Sequence, residues 1–136
     1  MKIFYHSADL DGHCSGALLK DAFPEAELKP INYGEPFPWS EIKPDEEIYM
    51  VDFSLEPISD IWKLKSVCDR LVWIDHHKSA IEAYYIEAQK RNDQFIEGYR
   101  RIGKAGCELT WSWLHPTKKM PEFIELLGRH DVRDLS

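Results

Sequence analysis

Three stretches of the chain hold carboxylates and imidazoles in patterns that could do chemistry. Asp9 and Asp11 stand two residues apart in His6-Ser7-Ala8-Asp9-Leu10-Asp11-Gly12. Asp52 follows the apolar run Ile48-Tyr49-Met50-Val51. Asp75, His76 and His77 close the run Leu71-Val72-Trp73-Ile74. A mixed oxygen and nitrogen set of this kind suits hard or borderline cations, Mn²⁺ or Mg²⁺ ahead of Zn²⁺, Fe²⁺ or Co²⁺. The groups are numerous enough for two ions. Two cations roughly 3.5–4 Å apart can share a bridging carboxylate and generate a hydroxide for attack on phosphorus. Asp52, alone at the middle position, is the natural bridge.

Taken singly, each motif has a plainer explanation. An Asp after a strand caps a helix or makes a turn, and a His-His pair is more often surface than ligand. Their joint occurrence at equivalent positions in the topology is what argues for a site.

The elements that must position these residues read as alternating strands and helices. Lys2 to Tyr5 is a strand, followed by the acidic loop that carries Asp9 and Asp11. His13 to Phe23 is a helix that Pro24 stops. Ala26 to Asn32 is an edge strand, because Pro30 cannot donate to a central ladder. Gly34 to Pro38 is a loop and Trp39 to Ile42 a single helical turn. Glu47 to Val51 is a strand ending at Asp52. Pro57 suits a first helical turn, with the helix running through Ile58 to Ser66. Leu71 to Ile74 is a short β-branched and aromatic strand ending at Asp75. Ala80 to Arg91 is a helix, Phe95 to Ile102 a strand weakened by Gly98, Ala105 to Leu114 a helix, and Pro121 to Gly128 a last short helix. The alternation predicts an α/β fold of three layers, a mostly parallel sheet with helices on both faces. In such a sheet the three strand ends lie on one edge, where open α/β sheets keep their chemistry.

At 136 residues the chain suits one domain with a sizeable core. Hydrophobic content of 43% and charged content of 30% are ordinary for a globular protein. The net charge of −7 argues against a broad basic surface for nucleic acid, though not against a nucleotide substrate. The three cysteines form no CxxC pair or zinc spacing, which fits reduced thiols in a cytoplasmic protein. No signal peptide and no run of roughly 20 apolar residues is visible, so no membrane partner is expected. A homodimer is compatible with the sequence.

The motifs in order, H-S-A-D-L-D-G, V-D-F-S, I-D-H-H-K-S and G-K-A-G-C-E-L-T-W, resemble the DHH phosphoesterase superfamily from about Lys2 to Asp131. That family includes RecJ-type exonucleases, nanoRNases, cyclic-dinucleotide phosphodiesterases and manganese pyrophosphatases. The resemblance implies a Rossmann-like catalytic domain with two Mn²⁺ ions, Mg²⁺ or Co²⁺ being alternatives. His6, Asp9 and Asp52 would hold one ion. Asp11, Asp52 and His76 would hold the other together with a later aspartate, Asp131 or else Asp134. Asp75 would orient a histidine rather than bind metal, and His77 would stand near the scissile phosphate. The turn from Gly103 to Trp111 would open a helix near the substrate, with Gly106 and the following amides approaching an anion. Lys104 and Arg129 would be substrate contacts. Two features depart from the family pattern. In several members the histidine stands at another distance from the first Asp than in His6-x-x-Asp9. The usual C-terminal substrate domain is missing from this chain, which makes it a minimal catalytic lobe or part of a longer protein.

Four functions compete. The first is a metal-dependent phosphoesterase acting on a small nucleotide or short oligonucleotide, the acidic charge favouring short substrates. The second is a non-catalytic lobe that binds metal or nucleotide and needs a partner domain. The third is pyrophosphatase activity, which would need cations such as Lys78, Lys104, Arg129 and Arg133 around the anion. The fourth is a plain nucleotide-binding α/β fold, which the absence of a G-x-G-x-x-G or P-loop disfavours.

Overall fold

The computed structural model describes residues 1–135, with side chains described through residue 129. Strands and helices alternate along the chain. β1 (Lys2–His6) leads to α1 (Leu10–Ala22), β2 (Glu27–Ile31), a 3-10 turn (Trp39–Glu41) and β3 (Glu47–Val51). α2 (Asp60–Val67), β4 (Arg70–Asp75), α3 (Lys78–Lys90), β5 (Gly98–Arg100), α4 (Gly106–Leu114) and α5 (Glu122–Leu135) complete it. The five strands form one sheet in the order β2-β1-β3-β4-β5, every pair parallel. This is a doubly wound α/β fold, and its winding reverses between β1 and β3.

Both faces of the sheet are covered, so its central strands read as continuous apolar runs. Strand alternation sends Ile3, Tyr49, Val51, Val72 and Ile74 to one face, against Leu19 of α1 and Leu109 of α4. Phe4, Ile48, Met50, Leu71 and Trp73 go to the other, against Ile61 and Leu64 of α2 and Tyr84 and Ala88 of α3. α5 packs on α4 through Ile124, Cys107 and Trp111. All three cysteines are free thiols.

Several boundaries differ from the sequence reading, each for a local reason. α1 begins at Leu10 rather than His13, because the Asp9 carboxylate accepts from the Gly12 N–H at 2.8 Å and caps the helix there. Asp11 therefore sits in a helical turn and not in a loop. Pro57 precedes α2 instead of opening it; turns at Pro57 and Ile58 come first. β5 shrinks to three residues. Gly98 at its start has φ 143°, and an added Cβ would lie 1.9 Å from the Trp73 carbonyl oxygen. Only glycine lets this edge close on β4. α5 runs well beyond Gly128. The edge position expected of the Pro30 strand holds, since β2 pairs with β1 alone.

The register places the site. Tyr5 aligns with Val51, and Val51 with Ile74. His6, Asp52 and Asp75 therefore end three adjacent parallel strands at the same edge, beside the winding reversal.

Candidate metal centre

Asp52 is the geometric centre of the cluster. It leaves β3 with φ 57°, a left-handed conformation that Asp tolerates better than most residues. Hydrogen bonds on both sides hold it there. Its N–H donates to the Ile74 carbonyl at 2.9 Å, and the next carbonyl, of Phe53, accepts from the buried Trp73 indole at 2.8 Å. A strained residue fixed in this way is a frequent mark of a functional position. The carboxylate is completely buried.

On one side of Asp52 stand His6 and Asp9. The His6 Nδ1 is 3.6 Å from Asp52 Oδ2 and 3.5 Å from Asp9 Oδ2. The opposite ring nitrogen, Nε2, is 3.1 Å from the side-chain oxygen of Asn32. That oxygen also accepts from the Tyr33 N–H at 2.8 Å, so it is an acceptor and His6 Nε2 carries the proton. A neutral His6 then turns a lone pair at Nδ1 towards two carboxylate oxygens. Neither Nδ1 nor Asp52 Oδ2 has a hydrogen-bond partner among the described residues, and both are buried. Three electron-rich atoms face one another there without a donor between them. A proton on His6 or a metal ion would satisfy such a contact. Correspondingly, Asp52 raises the affinity of His6 for a proton against the effect of burial.

On the other side stand His76 and Asp11. His76 Nε2 lies 2.8 Å from Asp52 Oδ1 and 3.4 Å from Asp11 Oδ2. Burial opposes a charge on His76, but hydrogen bonds to Asp11 and Asp52 raise its pKa to about 10. Burial pushes the Asp52 carboxyl up to about 7, against the hydrogen bonds from both histidines and with help from the Asp11 and Asp9 charges. Asp11 moves the other way. Burial works against its charge, yet bonds from His76 and from the Cys107 N–H lower it to about 2.

Asp75 and His77 form a separate pair. Asp75 Oδ1 accepts from the His76 N–H at 2.9 Å and pairs with His77 Nδ1 at 2.7 Å. By accepting there, Asp75 keeps the His77 ring proton on Nδ1 and orients the ring, leaving Nε2 with the lone pair. Asp75 Oδ2 is buried without a hydrogen-bond partner among the described residues.

These residues fit divalent cations. His6, Asp9 and Asp52 each offer one atom, all within 4.8 Å of one another, and so do Asp52, Asp75, His76 and His77. Both groups contain Asp52. Of the four buried side-chain atoms without a hydrogen-bond partner among the described residues, three belong to them, His6 Nδ1, Asp52 Oδ2 and Asp75 Oδ2; the fourth is Arg100 Nε. Oxygen and imidazole donors in this proportion suit Mn²⁺ or Mg²⁺.

The remaining sequence candidates are placed differently. The amides of Gly106 and Cys107, which open α4, donate to Asp11 Oδ2 and Oδ1 at 2.9 and 2.8 Å. The anion they meet is thus Asp11 itself and not a ligand. Gly106 is a packing position: an added Cβ would stand 3.0 Å from the Asp52 carboxylate. Lys104 is exposed, 3.9 Å from Glu108, and Arg129 is exposed on α5. Asp131 and Asp134 lie outside the residues whose side chains are described.

Three contributors escaped the sequence reading. Asn32 sets the tautomer of His6, and its place at the end of β2 was the available signal. Tyr33 stacks on Phe53 with ring centroids 4.5 Å apart and stands edge-on to His6 and His77. No periodicity or motif marks Tyr33. The N-terminus of α3, beginning beside His77, is capped by no side chain. Among the described residues, no helix is long and apolar enough to cross a membrane. Comparison of the chain with known protein families, with characterised proteins and with solved structures finds no match.

Proposed function

We propose that this domain is a two-metal phosphoesterase of the DHH type, acting on a phosphodiester of a small nucleotide or short oligonucleotide. The observation that carries the reading is the donor-free contact of His6 Nδ1, Asp9 Oδ2 and Asp52 Oδ2, joined through Asp52 to a second group of ligand atoms.

His6, Asp9 and Asp52 would hold one Mn²⁺, and Asp52 and His76 the other, with the Asp11 carboxylate 3.4 Å from His76 beside it. When bound, the two ions supply Lewis-acid activation of water and neutralise charge at phosphorus. Asp52 joins the two halves. Asp11 is held ionised by the α4 amides, a fixed negative charge beside His76. Asp75 keeps His77 oriented with its Nε2 lone pair available. A protonated His77 can then donate to a phosphate oxygen or leaving group. Burial opposes that charge, but Asp75 raises the proton affinity of His77. The uncapped first turn of α3 beside His77 offers N–H groups to the same phosphate. Lys104 and Arg129 are exposed and would add only long-range attraction.

The test is a substrate panel with Mn²⁺ and with chelator: a linear diribonucleotide, a cyclic dinucleotide, a short single-stranded DNA, pyrophosphate and a generic phosphodiester. Mn²⁺-dependent cleavage that is lost in both Asp52→Ala and Asp75→Ala is expected. Preference for pyrophosphate would move the assignment to the pyrophosphatase branch. Stoichiometric Mn²⁺ binding without turnover on any member would instead mark a metal-binding lobe that needs another domain. Turnover retained in both variants would overturn the proposal.

A further inference from the structure

Beside the cluster lies a cleft of about 390 Å³ that, of the cluster residues, His77 alone lines. Its walls are Tyr33, Leu55, Ile58, Ala80 and Ala83, with Ser79 and Glu56 as the polar members besides His77 and Ser54. A nucleoside-sized ligand fits a volume of this order, with mostly apolar walls and a few polar groups.

Three features give the cleft its chemistry. Tyr33 is an aromatic wall held in place. Its ring is stacked on buried Phe53 and its hydroxyl meets Ser54, while over a third of the residue stays exposed, at 38%. An ordered, half-exposed aromatic side chain beside a polar site is a platform for a flat ring, because stacking there costs little side-chain entropy. Ala80 and Ala83 keep the α3 wall low, where larger side chains would close the space. Glu56 is the one carboxylate on the lining and would repel a phosphate. The phosphate of a bound nucleotide therefore belongs on the His77 side, and the uncharged base among Tyr33, Leu55, Ile58 and Ala83.

We propose that this cleft is a nucleobase pocket, which seats the base of the substrate while its phosphate reaches the His77 side of the cluster. The proposal deepens the phosphoesterase reading and rests on it for the word substrate. Base binding itself needs no metal and can be measured without one.

The experiment is equilibrium binding of adenosine and guanosine 5′-monophosphates and of ribose 5-phosphate, followed by calorimetry with chelator present. The proteins are wild type, Tyr33→Ala, Ala83→Phe and Ser79→Trp. Ser79 is exposed, so its variant keeps the fold even if Ala83→Phe does not. Circular dichroism checks each. At least one nucleotide is expected to bind wild type tenfold or more tightly than the base-free sugar phosphate. That advantage should disappear in Tyr33→Ala and in at least one filled-cleft variant that folds. Equal affinity for nucleotides and ribose 5-phosphate, or an advantage that survives every folded variant, would overturn the pocket. Because no metal is present, Mn²⁺-dependent hydrolysis can fail with the pocket intact, or persist with the pocket refuted.

Discussion

Asn32 does at the residue scale what a metal site requires of a neighbour. Its side-chain oxygen accepts from His6 Nε2 and so commits Nδ1 to the cluster. Such partners change metal affinity by about 10- to 100-fold in comparable sites. Asn32→Leu should therefore weaken Mn²⁺ binding by about that factor in a calorimetric titration. Unchanged affinity would show that His6 is not held through Asn32. Asp75 acts on His77 in a similar way. Asp75→Asn retains an oxygen acceptor but loses the charge that favours protonated His77. We expect hydrolysis to fall by about 10- to 100-fold, with a changed pH profile and Mn²⁺ stoichiometry retained. Loss of the metal itself would make Asp75 a ligand through its open Oδ2.

At the scale of elements, close approach of backbones sets the cluster's dimensions. α1 crosses β1 at Gly12, where an added Cβ would lie 1.8 Å from the His6 carbonyl oxygen. α4 meets β3 at Gly106, with Asp52 and Asp11 both within 3.2 Å of an added Cβ. Backbone cannot yield as the tip of a flexible side chain can. Gly12→Ala should cost about 1–3 kcal/mol or more in denaturant unfolding, through forced separation of α1 from β1. Gly106→Ala should cost about 1–3 kcal/mol and also weaken Mn²⁺ binding, since it pushes directly on Asp52. A fully stable Gly12→Ala protein would contradict the helix-to-strand contact that places Asp9 and Asp11.

At the scale of the whole molecule, the cluster links stability to pH and, on the proposed reading, would link it to metal. His76 is raised from 6.5 to about 10, so its contribution is complete below about 6.5 and lost as pH rises through about 10. Asp52, raised from 3.8 to about 7, also favours the folded state most below about 3.8 and loses that contribution as pH climbs through about 7. Asp11 has the opposite sign: lowered to about 2, it contributes above about 3.8 and is lost as pH falls through about 2. A metal must displace the protons on His76 and Asp52, so its binding strengthens as pH rises. The rise in Tm on adding Mn²⁺ should be larger at about pH 8 than at about pH 6. At a hundredfold excess over Kd the stabilisation is about 2.7 kcal/mol, which is roughly 10 °C for a chain of this size. A pH-independent increment would mean that the ions do not replace those protons.

The sequence by itself determined the layered α/β architecture and where its acids fall. Apolar runs buried on both faces, each closed by Asp or His, announce parallel strands whose ends share an edge. Asp9, Asp52, Asp75, His76 and His77 were legible for that reason, since strand periodicity is a local property of the chain. Only the tertiary structure decided what each group does there. Asp11 looked like a loop residue until the Asp9 cap drew it into α1 and the α4 amides, some 95 positions away, closed on its carboxylate. Gly106 looked like an anion-binding amide for the same reason seen from the other end. The His6 tautomer depends on Asn32 across a strand pair, and the Tyr33 wall on Phe53 beyond β3. Contacts of this kind join residues far apart in the chain, and local sequence patterns carry no record of which distant groups will meet.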